Sequence, residues 1–414
     1  MKFFKHILFA MLVCTVWAAP AQTIDLLIRN GHVIDPRNNI DGVMDVAIHE
    51  NKIVQVGRNL RQEAKKVIDA SGLYVTPGLI DLHGHHFWGT QPDSYLANSF
   101  TALPPDGFTF RAGVTTAVDA GGPGWRNFNI YKQNVIERSR TRVLVFLNIV
   151  GAGMSGGANE QNVADMDPKL AAMTARANKQ YIVGFKLAHY SGHEWEPTER
   201  VVEAGNIVKL PVMIDFGGAE PPLPLKTLFM EKLRPGDIFT HCYAGVSGRE
   251  KVVSEGKLQP WALEAQKRGI IFDVGHGGGS FLFEQAIPAI KQGLKPNTIS
   301  TDLHTGSMNG GMKDMLNVVS KLMNCGLSLQ EVIRASTWTP AQVINRTDLG
   351  HISPGAPADI AIFSLEKGRF GFIDVSGKKI TGDRKLTCEL TLREGRVVWD
   401  LNGLAAEEYK AQYQ

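Results

Sequence analysis

The chain has 414 residues, 43% of them hydrophobic, enough for a barrel-sized domain plus a smaller module. Its formal net charge of +3 falls to about +1 without Lys2 and Lys5, and the charges lie scattered along the chain. That balance argues against nucleic acid and against a polybasic membrane contact, and no run reaches the roughly 18 apolar residues of a spanning helix.

Residues 1–21 read as an export leader. Lys2 and Lys5 form a basic start, Ile7 to Trp17 an apolar stretch too short to span, and Ala19-Pro20-Ala21 a small-x-small cleavage site before Gln22. Cys14 lacks a lipoprotein context, so the expectation is a periplasmic or secreted protein. Cys242, Cys325 and Cys388 remain after cleavage, and three widely spaced cysteines make no disulfide framework.

From 22 to 76 the pattern is strand and turn. Residues 25–34 read as a hairpin turning at Asn30-Gly31, continued by 45–48 and 52–57. The segment 349–414 has the same grammar at 358–363, 386–392 and 395–399. Neither half buries much alone, so the two chain ends are expected to build one small β-sandwich.

Between them, over 77–348, short apolar runs alternate with amphipathic, helix-like segments, the signature of βα units. Eight runs, at 79–83, 114–119, 143–150, 182–187, 212–216, 238–241, 271–274 and 298–302, predict an α/β fold, a closed (β/α)8 TIM-like barrel. Such barrels work at the C-terminal ends of their strands. Glycine-rich loops follow several strands, but none has phosphate-loop or dinucleotide spacing, and flexibility beside a pocket explains them better.

Polar residues gather at those ends. Strand 1 runs into His83-Gly84-His85, and side chains two apart on an extended chain face the same side, so both imidazoles can meet at one point. A lone His-x-His is usually just two polar residues. Here Lys186 stands at the end of strand 4, Asp215 of strand 5, His241 of strand 6 and Asp302 of strand 8, and strand 7 runs into His276. Imidazoles and carboxylates are the ligands of zinc-like ions, and so many at one face favours a metal. Lys186 fits for a chemical reason. Burial lowers a lysine's pKa, and the free amine can add carbon dioxide to give a carbamate, an anionic two-oxygen bridge.

With its flanks this constellation closely resembles the amidohydrolase superfamily, and within it the deacetylase-type metallohydrolases related to dihydroorotases. The resemblance spans essentially the mature chain. It is carried by Pro77-Gly78-Leu79-Ile80-Asp81-Leu82-His83-Gly84-His85, the stretch Gly113 to Gly121, Gly184-Phe185-Lys186, Gly236 to Cys242 and Gly355 to Ile360. It implies that His83, His85 and Asp302 hold one divalent metal, with zinc the first candidate, at one or two ions per chain. It further implies a carboxylated Lys186 bridging two ions, His241 on the second, Asp302 as proton carrier and His276 as a substrate contact.

The departure is at strand 5, where the family usually has histidine and this chain has Asp215. A carboxylate still suits zinc, manganese or iron, which leaves one-metal and two-metal centres open. The implied activity is hydrolysis of an amide or ester bond of a small molecule, as in deacylation of an acylated amino or hydroxy acid by metal-activated hydroxide. Rival readings are ring-opening of a cyclic amide, a metal-free glycosidase using Asp215 and Asp302, and a non-catalytic binding derivative of the fold. A small molecule is the expected partner, and the oligomeric state, homo-oligomer included, stays open. His86, His189, His193, His304, Trp88, Trp125 and Trp195 are candidates for the pocket wall. Cys242 alternates away from His241 and is discounted as a nucleophile.

Overall fold

The computed structural model describes residues 23–215 and 219–409. The leader at 1–21 and Phe216, expected at the end of strand 5, lie outside the described residues.

The N-terminal segment forms β1 (Ile24–Asp35), β2 (Ile40–His49), β3 (Lys52–Gly57), β4 (Ala64–Asp69) and β5 (Tyr74–Pro77). The expected hairpin at Asn30-Gly31 is instead a bulge inside β1. Both halves of β1 pair antiparallel with β2, from Leu26 opposite Ile48 to Asp35 opposite Ile40, with a register shift between Ile28 and Gly31. The hairpin turn that Asn-Gly favours needs positive φ at both residues, and only Asn30, at 60°, takes it. One extra left-handed residue bends the strand and lets it run on.

The barrel follows with β6 (Leu79–Gly84), β7 (Val114–Gly124), β8 (Arg142–Asn148), β9 (Ile182–Ala188), β10 (Val212–Asp215) and β11 (Ile238–Phe239). A small hairpin, β12 (Val253–Ser254) and β13 (Lys257–Leu258), precedes β14 (Ile271–Phe272). Strands β6 to β11 and β14 pair in parallel and in chain order. Helices lie between them, with ends set by their caps. Asp167 accepts two backbone N–H bonds at the start of Pro168–Ala177, and Ser328 with Glu331 forms a capping box on Leu329–Ser336.

The eighth run closes the curl without becoming a ladder strand. It is held by isolated bridges, Asp273 to Thr298 and Gly84 to Leu303, and Asp302 N–H donates to the His83 carbonyl at 2.6 Å. Side chains take backbone partners there. Thr301 N–H donates to the Asp81 carboxylate and Gly275 N–H to the Ser300 hydroxyl, both at 3.0 Å, and Asp302 turns left-handed at φ 54°.

The C-terminal strands β15 (Ile360–Ile373), β16 (Lys379–Arg393) and β17 (Arg396–Asp400) extend the N-terminal sheet, giving the order β17-β16-β15-β5-β1-β2-β3 with β4 on β1. That sheet encloses a core of its own, in which Ile28, Val46 and Val75 meet Ile362 and Leu390 from the other end of the chain. Within the barrel, Phe146 is wholly buried in a cluster with Leu82, Val118, Val183, Met213 and Ile238 from neighbouring strands. Phe146→Ala is expected to cost about 3–5 kcal/mol, read as a shift in the urea unfolding midpoint. An unchanged midpoint would show that this cluster does not hold the barrel together.

Candidate metal centre

His83 and His85 leave the end of β6 with their rings 5.3 Å apart and nearly perpendicular. Both present Nε2 to one atom, Asp302 Oδ1, at 3.6 Å and 2.8 Å. His241 packs its ring 5.0 Å from that of His83. Ligand atoms of His83, His241 and Asp302 all lie within 4.8 Å of one another. Asp302 and His241 both hold positive φ, 54° and 56°, a conformation non-glycine residues keep only when their surroundings impose it.

Hydrogen bonding anchors Nδ1 of His83 and of His241. The Thr240 hydroxyl donates to Asp273 at 2.8 Å, so toward His83 Nδ1, 3.0 Å away, it can only accept. His241 Nδ1 donates to the Gly275 carbonyl at 2.5 Å. Burial holds the His83 ring well below the usual imidazole range, and with Nδ1 protonated it turns the lone pair of Nε2 toward Asp302; His241 Nε2 lies 3.1 Å from Asp215 Oδ2. At His83, acceptor facing acceptor calls for a cation between them. A ring nitrogen anchored by an outer acceptor is the usual arrangement of a metal-bound histidine.

Lys186 is the second sign. It is 0% exposed, and its amine has no hydrogen-bond partner. Burial lowers its pKa, although Asp215, with Oδ2 at 3.8 Å, and Asp302 pull the other way. Gly121, at φ 96°, makes room for the side chain, since a Cβ there would come within 2.7 Å of Lys186 Cγ. Gly275 does the same for His241, where a Cβ would lie 2.8 Å from Nδ1. These two glycines therefore serve close packing around the site. Burial would raise the Asp215 carboxyl, but His241 and Lys186 beside it hold it well below the usual range. Burial likewise opposes, and His83 and His85 outweigh it, in holding Asp302 low.

These groups open on a cleft of about 500 Å³ whose wall includes Tyr95, His189, Arg249, Ser280 and His304. Another cleft of about 570 Å³ lies beside Arg234 and Asp237 and is bordered by no histidine. The chemistry belongs to the first. The structure thus brings together His83, His85, Lys186, Asp215, His241 and Asp302. It does not bring His276 there. That ring is wholly buried, stacked on Phe281 at 4.6 Å, with Nδ1 donating to the Gly277 carbonyl and Nε2 accepting from Lys321 Nζ at 2.6 Å. Burial and the Lys321 ammonium push its pKa down to about 3. Both nitrogens are occupied, so His276 braces the loop and does not reach substrate.

His86 is buried against the Leu103 carbonyl and His193 is exposed, and neither borders the cleft. Nor do Trp88, Trp125 and Trp195; Tyr95 supplies the aromatic wall. Cys242 is buried, and burial pushes its thiol well up. Arg249 and Tyr95 carry no sequence signal, because they come from loops without a pattern. Thr240 and Asp273 were visible as strand-end residues, but their role as a chain behind His83 appears only in three dimensions.

A curled parallel barrel with imidazoles, carboxylates and an unpartnered lysine at its C-terminal face defines a metal-dependent hydrolase. The sequence profile of the amidohydrolase family matches residues 283–398. A deacetylase of Brucella anthropi is 33% identical over 346 residues, 81% of this chain and 83% of that protein. Among solved structures, an adenine deaminase superposes with a TM-score of 0.81 at 26% identity, over 91% of this chain and 100% of the other. A dihydroorotase gives 0.78 at 29% identity, over 91% and 99%. The chain belongs to the amidohydrolase family.

Proposed function

We propose that this protein removes the acyl group from a small acylated amine or alcohol, such as an acylated amino or hydroxy acid. The observation that carries the reading is the set of histidine Nε2 atoms turned toward carboxylates around the buried Lys186 amine, which has no hydrogen-bond partner. The similarity to a deacetylase over most of both chains supports the acyl group as the leaving portion.

In this reading His83, His85 and Asp302 would hold one divalent cation, zinc in the first instance, and Lys186 as its carbamate, Asp215 and His241 would hold a second. The cation's contribution is to acidify water and polarise a carbonyl. Lys186 forms the carbamate when its neutral amine adds carbon dioxide and releases a proton, which burial of the amine favours. Asp302 accepts the water's proton on its carboxylate and returns it to the departing nitrogen or oxygen. Thr240 and Asp273 keep His83 in one tautomer. Arg249, its Nη2 tied to the Thr240 carbonyl at 2.7 Å and its Nη1 3.9 Å from Asp215, puts a fixed positive charge on the cleft wall, which suits a substrate carboxylate. Export through the leader at 1–21 remains part of the proposal; N-terminal sequencing of the mature protein from a periplasmic fraction tests it.

Chelation followed by gel filtration is expected to abolish hydrolysis, and added zinc to restore it. Persistent activity in metal-free protein would end the reading. A panel of N-acyl amino acids, acetylated hydroxy acids and cyclic imides then identifies the bond. Turnover confined to cyclic imides would instead support the ring-opening alternative, which the similarity to a dihydroorotase favours.

A further inference from the structure

One imidazole outside the set assigned above is built as a ligand is built. We infer that His189 is a protein ligand of the second cation, beside Lys186, Asp215 and His241, with Glu160 as its outer partner. The inference rests on the metal-dependent reading just given.

His189 lies three residues beyond Lys186, holds a left-handed φ of 55°, and donates its N–H to the Asp215 carbonyl at 2.9 Å. Its backbone is therefore pinned to the end of β10. Its Nδ1 donates to Glu160 Oε2 at 2.7 Å. Glu160 is only 2% exposed, and its other oxygen accepts the Gly156 N–H at 2.8 Å. Burying a carboxylate is costly unless it is paired, and this one is paired to the ring. A carboxylate can only accept, so Nδ1 carries a proton and Nε2 is the nitrogen turned to the cleft.

Nε2 stands 3.7 Å from Asp215 Oδ2, too far for a hydrogen bond. The same oxygen faces His241 Nε2 at 3.1 Å and Lys186 Nζ at 3.8 Å. Two ligands of a tetrahedral zinc with bonds of about 2.0–2.1 Å would sit roughly 3.3 Å apart, and the separations of His189 Nε2 and His241 Nε2 from Asp215 Oδ2 lie within a few tenths of an ångström of that. The pattern matches His83 and His241. In all three rings Nδ1 is anchored to an outer acceptor and Nε2 is set against a carboxylate. A loop histidine needing only a hydrogen bond would be satisfied by Glu160 alone and would not need its backbone fixed to Asp215.

The test is metal binding by purified full-length protein and its variants, loaded with cobalt(II) and counted by elemental analysis, with the cobalt absorption spectrum as a record of coordination. Wild-type protein is expected to take two equivalents. His189→Ala should keep one and bind the other at least about 10-fold more weakly, with a changed spectrum, and Glu160→Gln should weaken the same site by about 10–100-fold. His193→Ala, an exposed histidine of the same loop, should leave both equivalents in place. Should the alanine variant fail to fold, Glu160→Gln carries the test alone. Two equivalents with an unchanged spectrum in His189→Ala would overturn the assignment, and so would a wild-type protein that takes only one. Wild-type protein taking none would instead overturn the metal-dependent reading itself, so the two failures are distinct.

Discussion

Replacing Lys186 with methionine is expected to lower kcat/KM by about 100- to 1000-fold and to lower the thermal midpoint of the metal-free protein. The two effects share one cause. The wholly buried amine stands 3.8 Å from Asp215 Oδ2 and helps hold that carboxylate ionised, so removing it leaves a buried carboxylate short of a partner. Methionine fills a similar volume but carries no charge. It cannot form a carbamate, so under the proposed two-cation reading it would supply no ligand to the second cation; a loss of about 3–4 kcal/mol of charge stabilisation at the reacting carbonyl would give the stated fall. Isotopically labelled bicarbonate should give a carbamate signal in the NMR spectrum of the wild type and none in the variant. A Lys186→Met protein with near-normal turnover would remove the carbamate from the mechanism.

Asp302→Asn should reduce kcat by about 10²- to 10⁴-fold with the fold intact, since general acid–base catalysis contributes on that scale. The backbone bonds that hold residue 302, its N–H to the His83 carbonyl and its carbonyl accepting from the Ser307 hydroxyl at 2.7 Å, do not depend on the side chain. An amide keeps one oxygen for His85 but cannot take up a proton at neutral pH. Turnover must be measured at saturating zinc with bound metal counted in the same sample. A fall with metal retained assigns the loss to proton transfer, a fall with metal lost assigns it to ligation, and unchanged turnover with metal bound removes the proton-carrying role.

The six residues that meet at the centre were legible because barrel strands place their C-terminal residues on one face, so reading the last residue or two of each apolar run finds them. His276 satisfied that rule and still fell outside. Gly275 and Gly277, at φ 44° and 58°, redirect the chain after β14, and the ring is drawn into the core by Phe281 and Lys321. The Asn30-Gly31 turn failed in a related way. The dipeptide permits a left-handed residue, but pairing of both halves of β1 with β2 decides whether that residue makes a hairpin or a bulge. The eighth run was correctly located and wrongly imagined as a ladder, because side chains of Asp81 and Ser300 occupy what regular strand pairing would use.

By itself the sequence determined the alternation of strands and helices, the pairing of both chain ends in one β module (read as a sandwich, built as a single sheet), and which strand-end residues carry donor groups. Those properties reside in periodicity and residue chemistry, which are local. Only the tertiary structure decided which acceptor each ring nitrogen faces, that the Lys186 amine has no hydrogen-bond partner, and that His189 stands against Asp215 with Glu160 behind it. Each of these depends on distances between segments far apart in the chain, and neither periodicity nor composition encodes such distances.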